Sequence, residues 1–141
     1  MPKRVLDTNA LINHWRQCVG DRRLREITAR MATGWATQLI GLEGTSAILT
    51  PTLIEFACGA SSGHELHLGR AYVRPFEVAD GGTILKQDWE YALRLAERVP
   101  PDGLPRQMAD CLMRAICERL HLEFVTREIR YPHPLPGRPG R

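Results

Sequence analysis

The sequence predicts one α/β domain with a central parallel β-sheet flanked by helices. Short apolar runs, "KRVL", "SAILT" and "EFVT", recur along the chain, and amphipathic stretches of helical length lie between them. Parallel strands need crossovers of roughly a dozen residues or more, and helices are the usual way to supply them. At 141 residues the chain can fill one core without staples, and no internal repeat divides it.

Lys3 to Leu6 reads as the first strand, closed by Asp7, and "NALINHWRQC" then opens a helix with Leu11, Ile12 and Trp15 on one face. "DRRLREITARM" reads as a second helix, capped by Asp21, with Leu24, Ile27 and Met31 at helical spacing. Gly41 and Gly44 punctuate a loop after it, and "SAILT" is a buried strand. In "TPTLIEFACGA", Thr50 can cap a helix, Pro51 suits its first position and Gly59 its end. "HELHLGRAYV" reads as a small helix and Phe76 to Val78 as a strand. "TILKQDWEYALRLAERV" is strongly helical, with Leu85, Trp89, Ala92, Leu93 and Ala96 as its apolar face. The loop "PPDGLP" leads to a last helix, "RQMADCLMRAICERLHL", with Met108, Leu112, Ala115 and Ile116 inward, and then to "EFVT". The domain is assigned to residues 1–130, and residues 131–141 form a Pro/Gly-rich tail.

A formal net charge of +3 permits an anionic partner without requiring one. Arg22, Arg23, Arg25 and Arg30 cluster in one segment, and Arg127, Arg130, Arg138 and Arg141 near the C-terminus; both groups suit solvated faces or phosphate contacts. Cys18, Cys58, Cys111 and Cys117 form no C-x-x-C pair and no secretory segment is visible, so buried, reduced thiols in a cytoplasmic protein are expected. No window has the length of a membrane span. "GASSG", residues 59–63, matches the G-x-S-x-G pattern, but a helix precedes it where a nucleophile elbow needs a strand. His64 and His67 share a helical face, yet no further ligand lies near them in sequence, and they read as surface residues.

The acids carry the chemistry. In open parallel sheets, functional groups collect beyond the C-terminal ends of the strands. Asp7 stands at such an end, Glu55 is expected in the first turn or so of the following helix, Asp110 early in the last helix, and Glu128 just past the last strand. Four carboxylates on one rim would repel, and some would take up protons unless a cation neutralised them. Oxygen donors suit a hard divalent ion such as Mg²⁺ or Mn²⁺, and an ion held there activates water against a phosphate ester.

"VLDTNALI", "ILTPTLIEFACGA" and "ADCLMRAICERLHLEFVTREIR" together resemble PIN-domain nucleases, and most closely the VapC-type toxins of bacterial toxin–antitoxin pairs. The strand-ending Asp with its Thr-Asn matches Asp7, Thr8 and Asn9. The acid after the Thr-Pro helix junction matches Glu55, the acid opening the later helix matches Asp110, and the Val-Thr-Arg strand end matches Val125, Thr126 and Arg127, followed by Glu128. The resemblance implies a PIN-like fold and a Mg²⁺- or Mn²⁺-dependent endoribonuclease with Asp7, Glu55, Asp110 and Glu128 as metal ligands and catalytic residues. Thr8, Asn9 and Thr126 would orient those carboxylates. It also implies a cognate antitoxin, an RNA substrate and a homodimer. Leu112, Met113 and Arg114 depart from the family's usual small residues, with Arg114 expected to turn outward, and Glu128 stands where Asn or Asp is commoner. Two other functions stay open: a catalytically inactive PIN-like module that binds RNA or protein, and a Mg²⁺-dependent phosphatase. The phosphatase would normally need Asp-x-Asp, and Asn9 occupies the second place.

Overall fold

The computed structural model describes residues 3–125. Strand β1 (Lys3–Leu6) leads into α1 (Thr8–Val19), and α2 (Ala29–Glu43) follows a short 3₁₀ turn at Leu24–Glu26. Then come β2 (Ala47–Ile48), α3 (Thr50–Cys58), α4 (Gly63–Val73), β3 (Glu77–Val78), α5 (Lys86–Ala96), α6 (Met108–Leu120) and β4 (Leu122–Val125). The strands form one parallel sheet in the order β3-β2-β1-β4. The α/β class and parallel sheet expected from the sequence are what the chain adopts.

β1 is central, and its side chains divide by the two-residue period of a strand. Val5 joins Ala47, Leu49, Ala92 and the buried face of α6, whereas Leu6 joins Ile48, Leu11, Trp15 and the inner faces of α2 and α4. A core therefore lies on each face of the sheet, so the consecutive Val5 and Leu6 are both buried, while Lys3 is exposed and Arg4 half-buried at the start of the strand. Trp15 organises the larger core, with edge contacts to Trp35, Phe56 and Tyr72 at ring separations of 5.7, 6.0 and 5.2 Å.

Several local expectations are corrected. The second helix does not occupy residues 21–31; it begins after Thr28, whose hydroxyl accepts from Met31 N–H at 3.1 Å, and continues to Glu43. Gly41 lies inside it, while Gly44 ends it in the left-handed conformation (φ 71°). Packing overrides the glycine signal, because Ala32, Ala36 and Leu39 bury one stripe of this helix in the core. Leu49, not Thr50, is the N-cap of α3; Thr50 turns its N–H and hydroxyl to the Asp80 carboxylate, at 2.9 and 2.6 Å.

The apolar face assigned to α5 holds for Ala92 and Ala96, which pack in the core, and fails for the other three. Trp89 and Leu93 are exposed, and the buried positions are Asp88 and Ala92. Arg119 of α6 explains the inversion: its Nε and Nη2 donate to the two oxygens of Asp88 at 2.8 and 2.9 Å, making a buried acid tolerable. Met108, expected inward, is 77% exposed, and Cys111, Met113 and Cys117 share the buried face with Leu112, Ala115 and Ile116. All four cysteines are free, but Cys58 is exposed and Cys18 only half-buried. His64 and His67 are exposed, as expected. Among the described residues, no helix is long and apolar enough to cross a membrane.

Candidate active site

Because every strand is parallel, the chain leaves each one at the same edge of the sheet, and α1, α3 and α6 carry the candidate acids at their caps or in their first two turns. Asp7 is the first residue beyond β1 and the N-cap of α1, its Oδ1 accepting from Ala10 N–H at 2.9 Å. The carboxylate is buried, with 5% exposure, and the helix N-terminus favours its negative charge. A short polar side chain that both ends a strand and starts a helix is held by backbone, not by a flexible stem.

Glu55 reaches the same place from α3. It lies in the second turn of that helix, not the first, and its side chain is exposed. Neighbouring Phe56 stacks on Tyr72 at 5.3 Å, which fixes the rotation of α3 and sends Glu55 toward α1. There the buried Thr8 hydroxyl donates to Glu55 Oε1. Thr52, one turn earlier, lies 3.4 Å from Thr8 and 3.0 Å from Met113 Sδ, linking the three helices beneath the acids.

Asp110 sits in the first turn of α6, behind the N-cap Gln107. Its Oδ2 accepts from Arg114 Nε at 2.9 Å, and Oδ1 has no hydrogen-bond partner among the described residues. Arg114 turns outward, as expected, and in doing so pairs with Asp110. An i,i+4 acid–base pair on one helix face is the sequence signal that could have placed it.

Asp7, Thr8, Asn9, Glu55 and Asp110 line one cleft of about 520 Å³, together with Gln107, Met113 and Phe124. Sequence reasoning missed the last three as walls. Met113 and Phe124 carry no site signal, since each reads as core. Glu128 and Thr126 lie outside the described residues, as does Arg127.

The donors available to a metal are carboxylate oxygens, which suit a hard divalent ion. Beside them Cys111 is buried, and burial with the adjacent Asp110 charge pushes its thiol up, so it stays neutral and offers no thiolate. No three metal-ligating side chains among the described residues draw close enough to enclose an ion. Such an open set is compatible with Mg²⁺, which keeps several waters and commonly takes only one or two protein carboxylates directly.

Fold and cleft together define a class: a parallel α/β domain whose α1 cap, α3 and α6 each bring one carboxylate to a shared cleft. The chain belongs to the PIN domain family, which it matches over residues 4–133. PIN domains are typically nucleases, hydrolases of phosphodiester bonds, and generally use divalent metal ions. Comparison with curated proteins and with solved structures finds no match.

Proposed function

We propose that this PIN domain is a Mg²⁺- or Mn²⁺-dependent endoribonuclease, acting as the toxin of a toxin–antitoxin pair of the VapC type in the cytoplasm. The observation that carries the nuclease reading is the gathering of Asp7, Glu55 and Asp110 on one cleft from positions far apart in the chain. These acids, with Glu128 as the fourth, would hold the ion. Bound there, it supplies an activated water and neutralises charge on the scissile phosphate. The chain's own residues keep the carboxylates aimed: Ala10 N–H holds Asp7, the Thr8 hydroxyl holds Glu55, and Arg114 holds Asp110.

A second cavity supports the antitoxin. An apolar groove of about 970 Å³ runs between α1, α3 and α4, walled by Trp15, Val19, Leu53, Phe56 and Leu66. Ile12, Cys58 and Gly59 line both this groove and the acidic cleft, so the two are continuous. An amphipathic helix laid in such a groove would reach the acids with its end. The exposed stripe Leu85, Trp89 and Leu93 on α5 is the surface offered for the homodimer.

The test is cleavage of total labelled RNA by the purified protein, with Mg²⁺, Mn²⁺ or EDTA, beside an Asp7→Asn variant. Discrete fragments that require the metal and disappear in the variant are expected. RNA left intact under every condition, with Mn²⁺ still bound by the wild type, would favour a binding module instead. For that alternative the specific observation is the Arg114 contact, which already occupies one oxygen of Asp110.

A further inference from the structure

We propose that Arg114, held beside this cleft by two of its lining residues, Asp110 and Phe124, is an RNA-binding residue that takes a phosphate flanking the scissile one; it has this role only if the cleft works on RNA. Three observations converge on its guanidinium. Nε is committed to Asp110 Oδ2 at 2.9 Å, so the group is held beside the acids. Its carbon lies 5.4 Å over the ring of Phe124, another wall of the cleft, which fixes the plane of the fork from a second side. The two terminal nitrogens have no acceptor among the described residues, and the side chain is 48% exposed.

Other arginines in the structure are used differently. Arg119 spends Nε and Nη2 on Asp88, Arg106 gives both of its contacts to the Ala96 carbonyl, and Arg22 bonds the Cys18 carbonyl. Arg22 is likewise held through one donor, over the Trp35 ring at 5.8 Å, but of these only Arg114 is anchored to one of the cleft carboxylates. As a structural brace the pair is poor, since water screens an ion pair this exposed and holding two side chains together costs entropy. As a phosphate clamp it is well placed. Three carboxylates repel an approaching nucleic acid, and a planar guanidinium beside them offers parallel N–H donors that match phosphate oxygens. Asp110 Oδ1 stays open while Oδ2 steadies the arginine, so the two roles do not exclude each other.

The experiment is binding of a labelled oligouridylate in EDTA, where no cleavage is expected, over a series of salt concentrations. Wild type is compared with Arg114→Gln, Arg114→Lys and, as a charge control on α5, Arg94→Gln. Loss of one phosphate contact to a single strand lowers the slope of log K against log salt by roughly 0.7. Arg114→Gln should show that reduction and Arg94→Gln should not. Arg114→Lys should keep the slope and bind several-fold more weakly, because charge remains and the fork is gone. Thermal melting of the three variants should stay close to wild type. Equal slopes for wild type and Arg114→Gln, with RNA bound and cleaved by the wild type, would overturn the role of Arg114 and leave the nuclease standing. No RNA bound or cleaved by the wild type would remove both.

Discussion

Thr8→Val separates the site from the fold. The Thr8 side chain is 7% exposed, and valine fills nearly the same volume, so packing against Thr52 is retained. What disappears is the hydrogen bond to Glu55 Oε1. Bonds to charged partners are worth about 1.5–3 kcal/mol when both ends are buried. Glu55 is exposed, so water replaces the lost donor, and Thr52 keeps Met113 Sδ as a partner at 3.0 Å. Stability should therefore fall by less than about 1 kcal/mol, a melting shift within about 4 °C for a chain of this size. Metal affinity should fall more. Losing the group that orients a ligand typically costs about 10–100-fold, or about 1.4–2.8 kcal/mol. Calorimetric titration with Mn²⁺ measures it, and Thr8→Ser, which restores the hydroxyl, should recover the wild-type constant. Equal Mn²⁺ affinity in Thr8→Val and wild type would refute the claim that Thr8 aims Glu55 at an ion.

Asp7→Asn should abolish cleavage yet change stability by under about 1 kcal/mol, because the amide oxygen still caps α1; urea unfolding beside the RNA assay checks both halves. Arg119→Met leaves the Asp88 carboxylate buried with, among the described residues, only the Leu85 N–H, at 2.9 Å, to satisfy it. That should cost about 3–5 kcal/mol and lower the melting temperature by about 10 °C or more, with Asp88→Asn/Arg119→Met recovering much of the loss. His14, buried against the Tyr72 hydroxyl at 2.7 Å and near Cys18, has its pKa lowered from 6.5 by that burial. Below 6.5 the unfolded chain therefore takes a proton that the folded one resists. This contribution is fully present above 6.5 and lost as pH falls toward the folded value. Unfolding at about pH 8 and about pH 5 should show His14→Gln losing less stability on acidification than wild type.

The fold was legible where local chemistry and tertiary packing agree. Asp7 could be read from the sequence because its strand-ending and helix-capping signals fall on one residue. Glu55 and Asp110 followed because each lies within two turns of the start of a helix on an α/β sheet whose strands all leave at one edge. The α5 face was not legible: Leu85, Trp89 and Leu93 have the periodicity of a buried stripe, and only the remote Arg119 shows that Asp88 takes the inward position. Residues 29–43 hid their helix because Gly41 and Gly44 read together as a loop, whereas only Gly44 ends it. The Arg114 contact was readable from its spacing to Asp110, but its meeting with Phe124 depends on how β4 follows α6.

In the proposed site Asp7 would serve two masters through a single carboxylate, whereas Glu55 would serve one. A descendant of this chain that had abandoned chemistry would still be selected for Asp or Asn at the start of α1, since Ala10 N–H must be met. Nothing in the packing of α3 asks for an acid at Glu55, which is exposed between an exposed Ile54 and an anchored Phe56. Among diverged copies, then, the strand-end aspartate is a poor witness to activity, and the residue at position 55 is the one whose drift would date its loss.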